Sequence, residues 1–230
     1  MREEIHVDFN TESGGSEGSG REPGGAPPRV TGGASGGEFN YQDPVQSFIN
    51  TVQNIVTAPV GFFRGLRRQG DFINPLIFAI ICYEVAALLG GILSLAFGNQ
   101  GIGGLIVDII AAPIGATIGL FIGAGIFHLL VMLIVGSSNV GFEGTFRVGA
   151  YVAVTQLVTW LSSVPILGIL VALVVFVYTI FLAIVGIREV HGTTTGRAAL
   201  VVLIPVVVLG VLAFLILGAA LLAIFAASQQ

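Results

Sequence analysis

The sequence predicts an all-α polytopic membrane protein, a five-span transmembrane helix bundle carrying a disordered N-terminal arm. Three observations lead there. Only 10% of the 230 residues are charged, 54% are hydrophobic and mean hydropathy is +0.95, against roughly 25% charged residues in soluble domains. From Asn74 onward five apolar runs follow one another with only short Gly, Ser, Asn, Thr and Arg punctuation, and a spanning helix needs about 20 such residues. The runs are continuously apolar, without the alternation of barrel strands, so helices are the remaining spanning solution.

In chain order, residues 1–43 form an acidic, Gly-rich arm. They hold ten glycines, eight acids and three arginines, and no apolar run able to offset the entropy of ordering. They also lack the basic start and apolar stretch of a signal peptide. Residues 44–69 read as an amphipathic interfacial segment. Asp43-Pro44 is a cap and first-turn pair, and Val45, Phe48, Ile49, Val52, Ile55 and Val56 repeat at spacings of three and four. After Pro59, aromatics mix with Arg64, Arg67 and Arg68. That composition suits contact with anionic headgroups, or equally a plain topogenic arginine cluster.

Residues 70–230 make the membrane domain, with spans at about 75–97, 105–135, 147–162, 166–187 and 198–226. The second and fifth contain Pro113 and Pro205, which predict a kink or a shortened helix. The lone Cys82 excludes a disulfide or a cysteine metal site within one chain.

Orientation follows from arginine, which short cytoplasmic loops retain. Arg64, Arg67 and Arg68 precede span one, Arg147 separates spans two and three, and Arg188 and Arg197 separate spans four and five. The alternate connections are uncharged. Five spans then put the N-terminus in the cytoplasm and the C-terminus outside, in a multi-pass cell-membrane protein.

Within the membrane, Glu84, His128 and Gln156 lie roughly 14, 10 and 14 Å from the cytoplasmic ends of their spans at 1.5 Å per residue. They form a candidate polar layer, either a packing knot or the lining of a proton or solute path. Span two also carries Ala111, Gly115, Gly119 and Gly123 at every fourth position, a small-residue face for close helix packing within the chain or in a homo-oligomer.

Enzyme motifs are missing. His6, His128 and His191 are the only histidines and sit in no His-Glu-x-x-His arrangement; no phosphate loop occurs, and the spans hold no Gly-x-Ser-x-Gly elbow. No catalytic residue, cofactor or metal is expected, and no nucleic acid among the partners. Chemistry gathers instead in two segments, Gly136 to Arg147 and Gly186 to Ala198. Glu143 and Arg147 are four apart, in the order that favours a helical ion pair. Arg188 suits a helix C-terminus, whereas Arg197 opposes the dipole of the helix it opens; positive-inside topology suffices to place it there, and the sharper alternative is a partner, Glu189 or Glu143. Thr193 to Thr195 predict a cap.

These segments resemble the Yip (Ypt-interacting protein) domain family. The likeness rests on His128-Leu129-Leu130, Gly141-Phe142-Glu143-Gly144-Thr145-Phe146-Arg147-Val148-Gly149-Ala150-Tyr151 and Gly186-Ile187-Arg188-Glu189-Val190-His191-Gly192-Thr193-Thr194-Thr195-Gly196-Arg197-Ala198. It takes in Ala58-Pro59-Val60-Gly61-Phe62-Phe63, Asn74-Pro75, Pro165-Ile166-Leu167-Gly168 and Ile204-Pro205 as well. The resemblance implies five spans with a cytoplasmic N-terminus, and for eukaryotic members binding of prenylated Rab-type GTPases. This chain has a Gly- and Glu-rich arm where those members carry an Asp-Leu-Tyr-Gly-Pro type motif, so it is more similar to a prokaryotic branch.

The expected function is therefore a non-enzymatic membrane organiser or adaptor. It would bind membrane lipids, or a membrane or peripheral protein, through Glu143, Arg147, Arg188, Glu189, His191 and Arg197. The alternative is a small transporter or channel using Glu84, His128 and Gln156.

Overall fold

The computed structural model describes residues 37–164 and 166–229, and among these every regular element is helical. In α1 (Pro44–Thr57), Pro44 occupies the first turn, where its missing N–H leaves no helical bond unmade. The apolar stripe of α1 divides between two surfaces. Thr51 and Ile55 are buried and Phe48 and Val52 pack on the core, while Val45, Ile49 and Val56 stay exposed. Such a division suits a helix lying between protein and lipid.

In α2 (Pro59–Arg64) and the turn after it, Phe62, Phe63 and Leu66 point into the core. Only the arginines of Val60–Arg68 are therefore placed to meet headgroups. The rings are anchors, and burying an aromatic ring inside the bundle removes more apolar surface from water than leaving it at an interface.

Four helices are long and apolar enough to cross a membrane: α3 (Ile73–Ala96), α4 (Ile102–Ile134), α6 (Leu167–His191) and α7 (Thr195–Ala227). The helices α4 and α7 run continuously through Pro113 and Pro205. The count of five long spans is not met, because the run expected at 147–162 divides. Its first half belongs to α5 (Phe142–Val152), and its second is a 3-10 segment, Ala153–Ser163. The cause is local. The hydroxyls of Thr155 and Thr159 donate to the carbonyls of Val152 and Gln156, three residues back, at 3.0 and 2.8 Å. Such back-bonds compete with α-helical pairing and suit the tighter 3-10 spacing.

Helix α5 is buried along nearly its whole length and touches α3, α4 and α6. The glycines that permit this are not those of the span-two face. A Cβ on Gly186 would meet Val148 Cγ1 at 2.5 Å and Phe63 Cε1 at 3.2 Å, and one on Gly144 would meet Val190 Cγ1 at 3.0 Å. By contrast, Gly115, Gly119 and Gly123 have nothing within 4 Å of where a Cβ would stand, and Ala111 is exposed. Among the described residues the expected small-residue face thus makes no close helix contact; α4 packs through Ala116, Leu120, Ala124 and Val131.

The expected disordered arm falls, for residues 1–36, outside the described residues. Its last part is a packed strap, with Phe39 buried and Thr51 donating to the Gly37 carbonyl at 2.9 Å. The expected loop at Gly186–Ala198 contracts to Gly192–Thr194, because α6 continues through His191. It stops at Gly192, whose left-handed backbone lets Thr193 N–H reach the Arg188 carbonyl at 3.0 Å. Thr194 then accepts from Arg197 N–H at 3.4 Å, opening α7.

Candidate functional site

The charged side chains of α2, α5 and α6 converge at one end of the bundle. Glu189, near the end of α6, accepts from Arg64 Nε at 2.9 Å and from Arg188 Nε at 2.8 Å. Arg188 also donates to the Thr195 hydroxyl at 3.3 Å. Two guanidiniums around one carboxylate thus tie the segment after α1 to the α6–α7 corner.

Arg147 lies deeper, only 2% exposed. Its Nη1 donates to Glu38 at 2.7 Å, and its Nη2 donates to the Asp71 carbonyl at 2.8 Å and to Glu143 at 3.3 Å. The Glu143–Arg147 pair is the helical one the spacing predicts. Gly70 leaves room for it, since a Cβ there would stand 2.7 Å from Nη2. The Asp71 carboxylate caps α3 by accepting Asn74 N–H at 3.0 Å. That bond, helped by the nearby Arg147 charge, holds its carboxyl below the usual carboxylate range.

The two family-like segments meet through Thr145. Its hydroxyl is 3.1 Å from His191 Nε2 and 3.1 Å from His128 Nδ1. Val140 N–H donates to His191 Nδ1 at 3.3 Å. That ring nitrogen must therefore accept, so neutral His191 carries its proton on Nε2 and donates to Thr145, which donates onward to His128. The proton order of the whole chain follows from one backbone amide.

Other expected residues stand apart. No hydrogen bond joins Glu84, His128 and Gln156 to one another among the described residues. His128 turns to Thr145, Gln156 Oε1 meets only the Thr159 hydroxyl at 3.5 Å, and the Glu84 Oε1 atom is buried without a partner. Arg197 makes no ion pair among the described residues, where Arg64, Arg188 and Arg147 hold the Glu189 and Glu143 carboxylates, so of its two readings the topological one remains. Arg67 and Arg68 are exposed and likewise in no ion pair among these residues. Below Thr145 opens an apolar cavity of about 260 Å³, lined among others by Gly119, Gly123, Phe176, Thr179 and Val202.

Sequence reasoning missed Thr145, Glu38 and Phe39. A threonine in an apolar helix carries no signal by itself. Phe39 and Tyr41, aromatic residues ending a Gly-rich arm just before Asp43-Pro44, were the signal available for the strap.

A family model described as the Yip1 domain matches residues 54–218. No curated protein and no solved structure matches the chain.

Proposed function

The chain belongs to the Yip1 domain family, and from that premise we propose that it is a non-enzymatic organiser or adaptor, binding protein or lipid partners at its cytoplasmic face. One observation carries this reading. Fixed charge from α2, α5 and α6 collects at a single end of the bundle, where internal pairs satisfy some groups while Arg67, Arg68 and Arg197 present guanidiniums to solvent. Paired charges fix geometry; exposed ones with no ion pair among the described residues can meet a partner's carboxylates or phosphates.

Orientation supports the same reading. Arginine marks the cytoplasmic side of a membrane protein, and every described arginine lies before α3, in α5, or near the α6–α7 corner. We propose further that α5 and its 3-10 continuation make the fifth crossing. Ser163 donates to the Gly90 carbonyl at 3.3 Å and meets Ser94 Oγ at 3.4 Å, whereas Arg147 bonds Asp71 just before α3. Gly90 stands about 25 Å along α3 from its start at 1.5 Å per residue. The segment that begins beside Asp71 thus ends beside Gly90.

The test compares proteins co-purifying in mild detergent with wild type and with the Arg67→Ala/Arg68→Ala/Arg197→Ala variant. The adaptor reading expects specific loss of partners from a variant that is still helical and monodisperse; an unchanged set counts against it. The unpartnered Glu84 oxygen is the one observation favouring a transporter. Vesicle flux abolished by Glu84→Gln would replace the adaptor reading.

A further inference from the structure

The carboxylate of Glu38 sits in a built socket. Its Oε1 accepts Arg67 N–H, and its Oε2 accepts Arg147 Nη1 at 2.7 Å and the Tyr151 hydroxyl at 3.5 Å. These donors come from the turn before α3 and from α5, so the site exists on the bundle and not on the strap. The next residue, Phe39, inserts into an aromatic box, with ring centroids 6.5 Å from Phe48 and 6.0 Å from Phe78. Behind it, Phe78 packs against Tyr151 in a tilted pair with ring centroids 5.2 Å apart. A carboxylate and the aromatic ring that follows it are therefore read by two adjoining pockets.

The strap that supplies them is irregular backbone from residue 37 to 43. Besides Glu38 and Phe39, its ties to elements beyond α1 are sparse, chiefly Tyr41 N–H to Asn74 Oδ1 at 2.9 Å. A polar cavity of about 310 Å³ remains between strap and bundle, lined by Asn40, Gln42, Arg67, Asp71, Asn74 and Arg147 among others. The strap is thus held on the far side of α1 mainly by two side chains, tied to α1 through Thr51–Gly37 and Ser47–Asn40 bonds, and exposed from Asn40 to Asp43. With Glu38 withdrawn Arg147 would keep Glu143 at 3.3 Å, but its Nη1 would lose the 2.7 Å partner; a buried charged donor left unsatisfied is unfavourable, so the socket calls for an occupant, though not for this one.

We propose that the Arg147–Tyr151 socket is an exchangeable receptor for an acidic-aromatic peptide, a Glu or Asp followed directly by an aromatic residue. Glu38-Phe39 fills it in cis until a protein partner presents the same pair. The partner's chemistry rests on the adaptor reading; the socket rests on the contacts alone. Engagement would lift the strap from the bundle.

The probe is a labelled synthetic peptide of residues 37–43 added to the full-length protein in detergent. Glu38→Gln/Phe39→Ala weakens the resident strap, and this variant should bind the peptide at least about tenfold more tightly than wild type. Loss of a charge-assisted hydrogen bond corresponds to about 10- to 100-fold in affinity, so changing Glu to Gln in the peptide, or adding Arg147→Gln to the protein, should cost that much. Equal binding to wild type and variant, or binding indifferent to the peptide's carboxylate, overturns the proposal. In wild type, excess peptide should raise hydrogen exchange at residues 38–43. This arm decides the matter if the variant fails to fold, and no rise overturns it. Displacement of the strap by anionic-lipid vesicles but not by peptide overturns it too. Partner loss from the arginine triple variant alongside a silent peptide experiment would leave the adaptor reading standing and remove only the socket.

Discussion

Thr145 Oγ1 lies 3.1 Å from Nε2 of His191, a residue 46 positions away at the end of α6. The contact locks the first turn of α5 against the last turn of α6, in a place where both residues are buried. The same hydroxyl also holds His128 of α4. One small polar side chain therefore joins three helices. Its energetic weight comes from what its loss would leave unsatisfied in a dry interior.

Thr145→Val keeps the shape and removes the hydroxyl. It should lower stability by about 1–3 kcal/mol, the penalty for leaving the buried His191 nitrogen and the half-buried His128 nitrogen unpaired. Thr145→Ser should recover most of it. Thermal unfolding in detergent reads this out; equal melting of the Val and Ser variants would show that the bridge carries no energy.

Two arginines in ion pairs should behave differently. Arg147 is 2% exposed between Glu38 and Glu143, whereas the Arg64 side chain, facing Glu189, is 70% exposed. Removing one partner of a buried pair costs about 3–5 kcal/mol, and an exposed pair contributes less than about 1 kcal/mol. Denaturation of Arg147→Ala and Arg64→Ala should reproduce that gap. Similar losses from both would mean that water reaches Arg147 freely.

Glycines divide in the same way. Gly186→Ala forces a methyl group against Val148 and Phe63, while Gly119→Ala meets nothing within 4 Å. Overpacking of this kind costs about 1–3 kcal/mol. Gly186→Ala should melt markedly earlier than wild type, and Gly119→Ala should not.

Acid should loosen the start of α3 through Asp71. Its carboxyl, lowered first by the Asn74 N–H bond, favours folding above the unfolded pKa near 4, and this is lost as pH falls through the lower folded value. Asp71→Asn keeps an acceptor but cannot titrate. Between about pH 6 and pH 3 the variant should therefore lose less stability than wild type; parallel curves would exclude Asp71 as a contributor.

Much of this was legible in the sequence because hydropathy and charge act over whole segments. The four long apolar helices, the first-turn proline of α1 and the Glu143–Arg147 pair follow from length, φ restriction and i,i+4 spacing. The rest depends on neighbours distant in sequence. Arg147 meets Glu38 across 109 positions and Asp71 across 76, and no periodicity encodes such a meeting. The span-two glycines are a related case, since four-residue spacing shows that a close approach is possible without showing which helix comes. The 3-10 segment was hidden because threonine back-bonding decides between two helix types that share one hydropathy pattern.

The last prediction concerns the C-terminus. If α5 and the 3-10 segment cross together, α7 ends on the side opposite the arginines. Their combined rise supports a crossing: eleven α residues give about 16 Å and eleven 3-10 residues about 22 Å, together more than the roughly 30 Å hydrocarbon core. The ends agree, since Arg147 bonds Asp71 before α3 while Ser163 bonds Gly90 near its far end. A reporter fused after residue 230 should therefore be active only outside the cytoplasm, and one fused before residue 1 only inside. Both reporters on the same side would mean an even number of crossings, leaving α5 as a helix that enters the bundle and returns.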